Sequence, residues 1–170
     1  MKIAVMNGSP RPKGNTAALI AAFKEGAESA GHEVTVLLVG TMQIGGCKGC
    51  EYCHTKGGGK CVQKDDMEKV YPTLAEAELV VLASPVYYFG LTGQMESAVS
   101  RFYAIGAPKA RKYALLLTSG SPNVYGGIEA QYKGILAYIK GEDLGIYEYD
   151  GKKSGTEEAF AELRAFGASL

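Results

Sequence analysis

No stretch of this sequence is apolar for anything near the ~18 residues needed to cross a bilayer, and neither sign of charge dominates it. Lys and Arg number 18 against 18 Asp and Glu, so the balance offers nothing special to nucleic acid or to an anionic membrane. A secretory leader is not expected either. Ile3-Ala4-Val5-Met6 is too short for its apolar region and runs into Asn7-Gly8-Ser9-Pro10 with no cleavage pattern. The expectation is a cytoplasmic protein. There is no internal repeat, low-complexity tract or interdomain linker, and 170 residues suit one buried core better than two. Outside the stretch from Cys47 to Cys61 there is no cysteine at all. Four thiols so close together, where thiols are kept reduced, read as metal or redox chemistry before disulfide staples.

What is present is an alternation of short β-rich runs with amphipathic helical stretches. Lys2 to Met6 has strand character, and Asn15 to Ala30 carries Leu19, Ile20, Phe23, Ala27 and Ala30 at helical spacing. Gly31 stands where a helix wants its C′ residue. Glu33 to Val39 is a second strand, followed by the long glycine-rich stretch Gly40 to Lys64 that holds every cysteine. A loop longer than ~15 residues in a compact domain is usually functional. Asp65-Asp66 offer N-caps, with Glu68 close to a capping box. Leu79 to Ala83 is nearly all apolar, as a central parallel strand requires. Tyr113 to Leu117 and Leu144 to Tyr149 are the last two strands. Met95, Ala98, Val99 and Phe102, then Ile128, Tyr132, Leu136 and Ile139, then Phe160, Leu163 and Phe166 mark the helices between and after them. Five such units predict an α/β doubly wound five-stranded parallel sheet of order 2-1-3-4-5, because the six-stranded dinucleotide fold needs more chain.

In such sheets ligands bind beyond the carboxyl ends of the strands, beside strand 1. Here that place is Gly8 to Thr16. Ser9 and Thr16 bring hydroxyls, Asn15 an amide, Arg11 and Lys13 positive charge, and Gly14 leads into a helix N-terminus. A phosphate monoester asks for that chemistry. There is no G-x-G-x-x-G, and Asn15 stands where a P-loop would have its lysine, with five rather than four residues between Gly8 and Gly14. The competing reading is a basic turn with Asn15 or Thr16 as an ordinary helix cap.

Gly8-Ser9-Pro10-Arg11 with Gly14-Asn15-Thr16 resembles the phosphate loop of the flavodoxin-like NAD(P)H-dependent FMN reductases. A second family signature is similar to Ser84-Pro85-Val86-Tyr87-Tyr88-Phe89-Gly90, and a third to Thr118-Ser119-Gly120 with Tyr125-Gly126-Gly127. The resemblance runs from Met1 to about Ile139 and weakens beyond. It implies a flavodoxin-like fold with FMN as cofactor: Ser9, Arg11, Lys13, Gly14, Asn15 and Thr16 around the phosphate, Pro85, Val86, Tyr87, Tyr88, Phe89 and Gly90 along the ribityl chain and ring, and Ser119, Gly120, Tyr125 and Gly126 on the other side. For Tyr87, Tyr88 and Phe89 the alternative is packing at a strand end or a subunit interface.

Cys47, Cys50, Cys53 and Cys61 have the spacing x2, x2, x7. The first three match bacterial cluster sites; the fourth is four residues too far on, and Val62 replaces the usual proline. The pattern resembles that of the iron–sulfur flavoproteins, which implies a 4Fe-4S cluster near FMN. Zinc held by four thiolates, or reduced thiols without metal, are the other readings. His54 reads as a solvated loop residue and His32 as a surface one. The loop leaves strand 2 at the rim where the flavin loops lie.

The resulting expectation is an FMN-dependent oxidoreductase, with FMN doing the chemistry and no protein acid or base catalytic. Reduced nicotinamide, NAD(P)H, or a ferredoxin-type protein would donate electrons. A quinone, flavin or azo compound would accept them. An electron carrier with FMN and a cluster is the alternative, and a zinc-stabilised binding module the third. The resemblance also implies a homodimer or homotetramer, with Tyr88, Phe89, Phe102, Tyr103 and Tyr125 as exposed aromatics that would serve it.

Overall fold

The computed structural model describes all residues from Met1 to Leu170. Strands β1 (Lys2–Asn7), β2 (Glu33–Leu37), β3 (Leu79–Pro85), β4 (Lys112–Thr118) and β5 (Glu142–Tyr149) form one sheet in the order β2-β1-β3-β4-β5, every pair parallel. Helices α1 (Asn15–Ser29) and α5 (Glu157–Ala168) cover one face; α2 (Met67–Glu76), α3 (Gly93–Ser100) and α4 (Gly126–Ile139) cover the other. The strand alternation sorts the core accordingly. Ile3, Val5, Val81 and Leu116 point towards Leu19, Phe23 and Leu163, whereas Ala4, Met6, Leu82 and Leu115 point towards Leu74, Met95 and Tyr132. The flavodoxin-like topology expected from the βα alternation is therefore the one adopted. No helix is long and apolar enough to cross a membrane.

At two places the structure departs from the sequence reading for tertiary reasons. Strand β2 ends at Leu37 rather than Val39, because Val39–Thr41 winds into a 3-10 turn that presses Gly40 against the first loop. A Cβ on Gly40 would sit 2.3 Å from the Ser9 carbonyl oxygen, so only glycine permits that approach. At α2 the capping box does not form. Asp66 occupies the N-cap position without a side-chain cap bond; its carboxylate accepts from the Gln43 amide at 2.8 Å and pairs with Lys69 at 2.7 Å. Glu68 pairs with Lys64 instead.

Strand register sets the functional rim. Asn7 lies beside Ala83, Pro85 beside Thr118, and Thr118 beside Tyr149. The loops leaving β1, β3, β4 and β5 thus emerge side by side at the carboxyl edge.

Candidate functional site

The first loop is organised by its own hydrogen bonds before any ligand is considered. The Gly8 amide donates to the Ala83 carbonyl at 2.8 Å, and the Ser9 amide to Asn7 Oδ1 at 2.9 Å. Ser9 Oγ accepts from the Arg11 amide at 3.2 Å, and the Gly14 amide closes the turn onto the Arg11 carbonyl at 3.1 Å. Thr92 locks this loop to α3: its hydroxyl donates to the Gly8 carbonyl at 2.8 Å and accepts from the Met95 amide at 3.2 Å.

The helix that follows starts without a cap. Gly14 is the N-cap residue, no side chain accepts from the first turn of α1, and no acidic residue stands there. Neither Asn15 nor Thr16 performs the capping role of the competing sequence reading. Asn15 Nδ2 donates to Ser154 Oγ at 2.7 Å, and Thr16 Oγ1 shares a hydrogen bond with Thr118 Oγ1 at 2.8 Å. The first-turn amides and the positive end of the helix dipole are left for an anion.

A single cleft gathers three of the loops read from sequence, plus one that was not. Ser9, Arg11, Gly14, Asn15 and Thr16 line one end of it. Pro85, Val86 and Tyr87 line a second wall, and Ser119 with Gly120 a third. The sequence reading left out Thr118, Gly151 and Ser154. Thr118 and Gly151 line the cleft, and Ser154 is buried behind Asn15. The loop after β5, with Gly151 and Gly155, is brought in by the Asn15–Ser154 hydrogen bond and by the close approach of Gly151 to the Gly120 carbonyl.

Lys13, Tyr88, Phe89, Gly90, Tyr125 and Gly126 do not line the cleft. Tyr125 is buried rather than exposed, at 8 % accessibility, and so is Phe102 at 7 %, which removes both from any exposed aromatic surface. Ser119 spends its hydrogen on the Ser121 carbonyl at 2.7 Å, so the Tyr125 hydroxyl donates to Ser119 Oγ at 2.6 Å. Burial pushes the Tyr125 hydroxyl above its usual range, keeping that donor protonated. Tyr125 thus acts behind the cleft by fixing Ser119.

Tyr88 and Phe89 form the tip of a tight turn. The Tyr87 and Gly90 backbones bond each other in both directions, at 3.0 and 3.2 Å, and the two aromatics between them have φ values of +50° and +66°. Two consecutive left-handed positions are the demand of a type I′ turn, which Asn-Gly meets without strain and bulky residues do not. Tyr88 is 98 % exposed. Neither core packing nor local preference explains these residues there, and such strain collects at functional sites. Tyr88→Asn combined with Phe89→Gly should raise the unfolding free energy by about 1–2 kcal/mol, read as a higher denaturant midpoint.

The cysteine loop docks away from the cleft. The Cys47 amide donates to Ser100 Oγ at 3.0 Å, His54 Nε2 contacts the Tyr103 carbonyl at 2.8 Å, and the Tyr103 hydroxyl donates to Glu51 at 2.9 Å. His54 therefore pins the loop to the 3-10 segment Arg101–Ile105 rather than standing free in solvent. His32 is likewise engaged, its Nδ1 2.9 Å from the Met1 amino group. All four cysteines carry free thiols and line one small closed cavity, walled on the other side by Arg101, Tyr103 and Ala104. No three His, Cys, Asp or Glu side chains converge on a point that would hold a single ion. The cavity and the cleft share no lining residue. They stand at opposite ends of α3, whose eight residues span ~12 Å. The common strand rim thus does not put the thiols in this cleft of the same chain.

Comparison with known proteins identifies the family. Residues 1–149 match the family model described as NADPH-dependent FMN reductase. Two proteins of Archaeoglobus fulgidus named iron-sulfur flavoprotein are similar to the chain. One is 34 % identical over 85 % of this chain and 71 % of its own length, the other 36 % identical over 75 % and 56 %. The chain thus spans between about half and seven tenths of these relatives. Among solved structures, the NAD(P)H:quinone oxidoreductase of Methanothermobacter marburgensis superposes with a TM-score of 0.66, at 14 % identity over 99 % of this chain and 94 % of that one. At that identity the likeness is one of fold.

Proposed function

This chain belongs to the NADPH-dependent FMN reductase family, and we propose that it is an oxidoreductase that binds FMN in the cleft beyond β1, β3 and β4. The observation that carries the reading is the uncapped, acid-free start of α1 opening into a cleft walled by Pro85, Val86 and Tyr87 on one side and Ser119 and Gly120 on another. The phosphate would meet Ser9, Arg11, Asn15 and Thr16; the ribityl chain and ring would follow Pro85 to Tyr87, with Ser119 and Gly120 opposite. Bound there, FMN would supply one- and two-electron redox chemistry. The chain's own part is positional. Thr92 and Gly40 hold the first loop, Tyr125 orients Ser119, and backbone N–H groups of the loops at Ser119 and Gly120 would be available to the polar edge of the ring. NAD(P)H or a ferredoxin-type protein is the proposed donor, and a quinone, free flavin or azo compound the proposed acceptor.

Reconstitution of the folded chain with FMN tests this directly. Failure of FMN to bind would refute it. Arg11→Ala should weaken FMN about tenfold, the loss of one exposed charge-assisted contact, and leave riboflavin affinity unchanged. Equal losses for both ligands would place Arg11 outside the phosphate site.

The cysteine cavity supports a second component of the same reading. Cys47, Cys50, Cys53 and Cys61 line one cavity without converging on one point. Four thiolates in one loop are the donor set of a 4Fe-4S cluster, and relatives named iron-sulfur flavoprotein favour it over zinc on the same donors. A cluster there supplies one-electron transfer. Iron and acid-labile sulfide in anaerobically purified protein would support it, and zinc in their place would favour a structural site. We also read the strained Tyr88-Phe89 turn as a self-association surface between copies of this chain. Sedimentation of the Tyr88→Asn, Phe89→Gly variant should then show a lower mass than the parent.

A further inference from the structure

Arg101 is the largest side chain buried almost completely in this protein, at 1 % accessibility. Asp65 is its only carboxylate partner, and the Tyr71 hydroxyl also lies against the guanidinium. Nη1 donates to Asp65 Oδ2 at 2.7 Å and to the Gly45 carbonyl at 2.9 Å. Nε and Nη2 are buried and have no partner. These two nitrogens form the edge of the guanidinium that offers parallel N–H groups. Folded proteins rarely leave buried donors unpaired, and an exception asks for an explanation.

The explanation lies in what Arg101 faces. It lines the closed cavity that the four cysteines share. Lys48, Glu51, Val62, Gln63, Tyr103 and Ala104 complete the wall, with Glu51 engaged by the Tyr103 hydroxyl and Lys48 the only other cation there. A 4Fe-4S core ligated by four thiolates carries net negative charge, and one-electron reduction adds one more negative charge. Hydrogen bonds and positive charge beside the sulfurs stabilise the reduced form more than the oxidised one, and so raise the reduction potential.

We infer that Arg101 is the hydrogen-bonding wall of the cysteine cavity, with Nε and Nη2 donating to the sulfurs of a bound cluster and tuning its potential. The inference rests on the reading that the four thiols hold a cluster. Asp65 and Gly45 serve as positioning groups that turn the free edge of the guanidinium to the cavity. Without such an anion the same edge would remain an unpaired donor set. A structural zinc site has less need of it, because its ligands and ion already balance within one tetrahedron.

Spectroelectrochemical titration of cluster-loaded wild type, Arg101→Gln and Arg101→Lys provides the test, with iron and sulfide analysis on each. Arg101→Gln should load iron and sulfide at the wild-type ratio and show a cluster midpoint shifted to more negative potential, with the flavin midpoint unmoved. Arg101→Lys keeps the charge but loses the paired N–H edge, and should fall between the two. A cluster midpoint in Arg101→Gln equal to that of wild type overturns the inference and leaves the cluster intact. A wild-type chain that takes up no iron or sulfide refutes the cluster reading itself. If Arg101→Gln does not fold, Fe–S stretching modes of the wild type in D2O decide: a deuterium shift is expected, and its absence overturns the assignment.

Discussion

Asp65→Ala should lower the unfolding free energy by about 3–5 kcal/mol, the cost of stripping a buried arginine of its counter-charge. Asp65 is the only carboxylate paired with Arg101, and it also accepts from the Gly45 amide at 3.0 Å and the Met67 amide at 3.2 Å. One residue therefore holds together the start of α2, the end of α3 and the entry to the cysteine loop. Urea titration of the chain without added cofactors measures the loss. Removing both partners, as Asp65→Ala with Arg101→Met, should cost less than Asp65→Ala alone, because no orphan charge remains. The pair also predicts an acid dependence. Burial alone would raise the Asp65 carboxyl, but the bond from Arg101 and the two backbone amides outweigh it and hold it below the ordinary 3.8. A depressed folded value means that its contribution is complete above that ordinary value and fades as pH falls through the folded one. Wild type should lose stability below about pH 4 through this group, and Asp65→Ala should lack that component.

Gly26→Ala should destabilise by about 3 kcal/mol, although glycine-to-alanine changes within helices ordinarily stabilise by up to about 1 kcal/mol. A Cβ on Gly26 would stand 2.0 Å from the Arg164 carbonyl oxygen, and one on Gly167 2.4 Å from that of Phe23. Backbone meets backbone at both points, so α1 and α5 would have to separate rather than adjust a rotamer. Gly134 in α4 provides the control, since a Cβ there meets nothing within 4 Å. Gly134→Ala should stabilise slightly while Gly26→Ala lowers the melting temperature by about 6–10 °C. The consequence reaches the cleft as well. The loop that leads into α5 carries Ser154, the partner of Asn15, so a displaced α5 should weaken FMN binding in proportion.

Legibility differed between the two parts of the candidate site. The first loop could be read because its types are chemically specific: hydroxyl, amide, cation and glycine in nine residues before an apolar-periodic helix. Its structural partners could not be read in that way. Thr92, Gly40 and Ser154 reach it from three other loops, and nothing in their local sequence says that they touch it. The aromatic residues illustrate the same limit. Tyr88 and Tyr125 look alike in a one-dimensional pattern, yet a left-handed turn throws the first into solvent while Ser119 draws the second into the core.

The alternation of buried and amphipathic runs was enough by itself to determine five parallel strands in the order 2-1-3-4-5, because periodicity is a local property and handed crossovers leave few ways to connect such units. The residues themselves were enough to mark the first loop as a candidate phosphate cradle and to set four thiols in one loop. Only the tertiary structure decided that those thiols gather around Arg101 at the far end of α3 from the cleft, that Asp65 gives its carboxylate to Arg101 and Gly45 rather than to a simple cap, and that the loop after β5 closes the site. Each of these depends on contacts between residues tens of positions apart, where distance along the chain carries no information about distance in space.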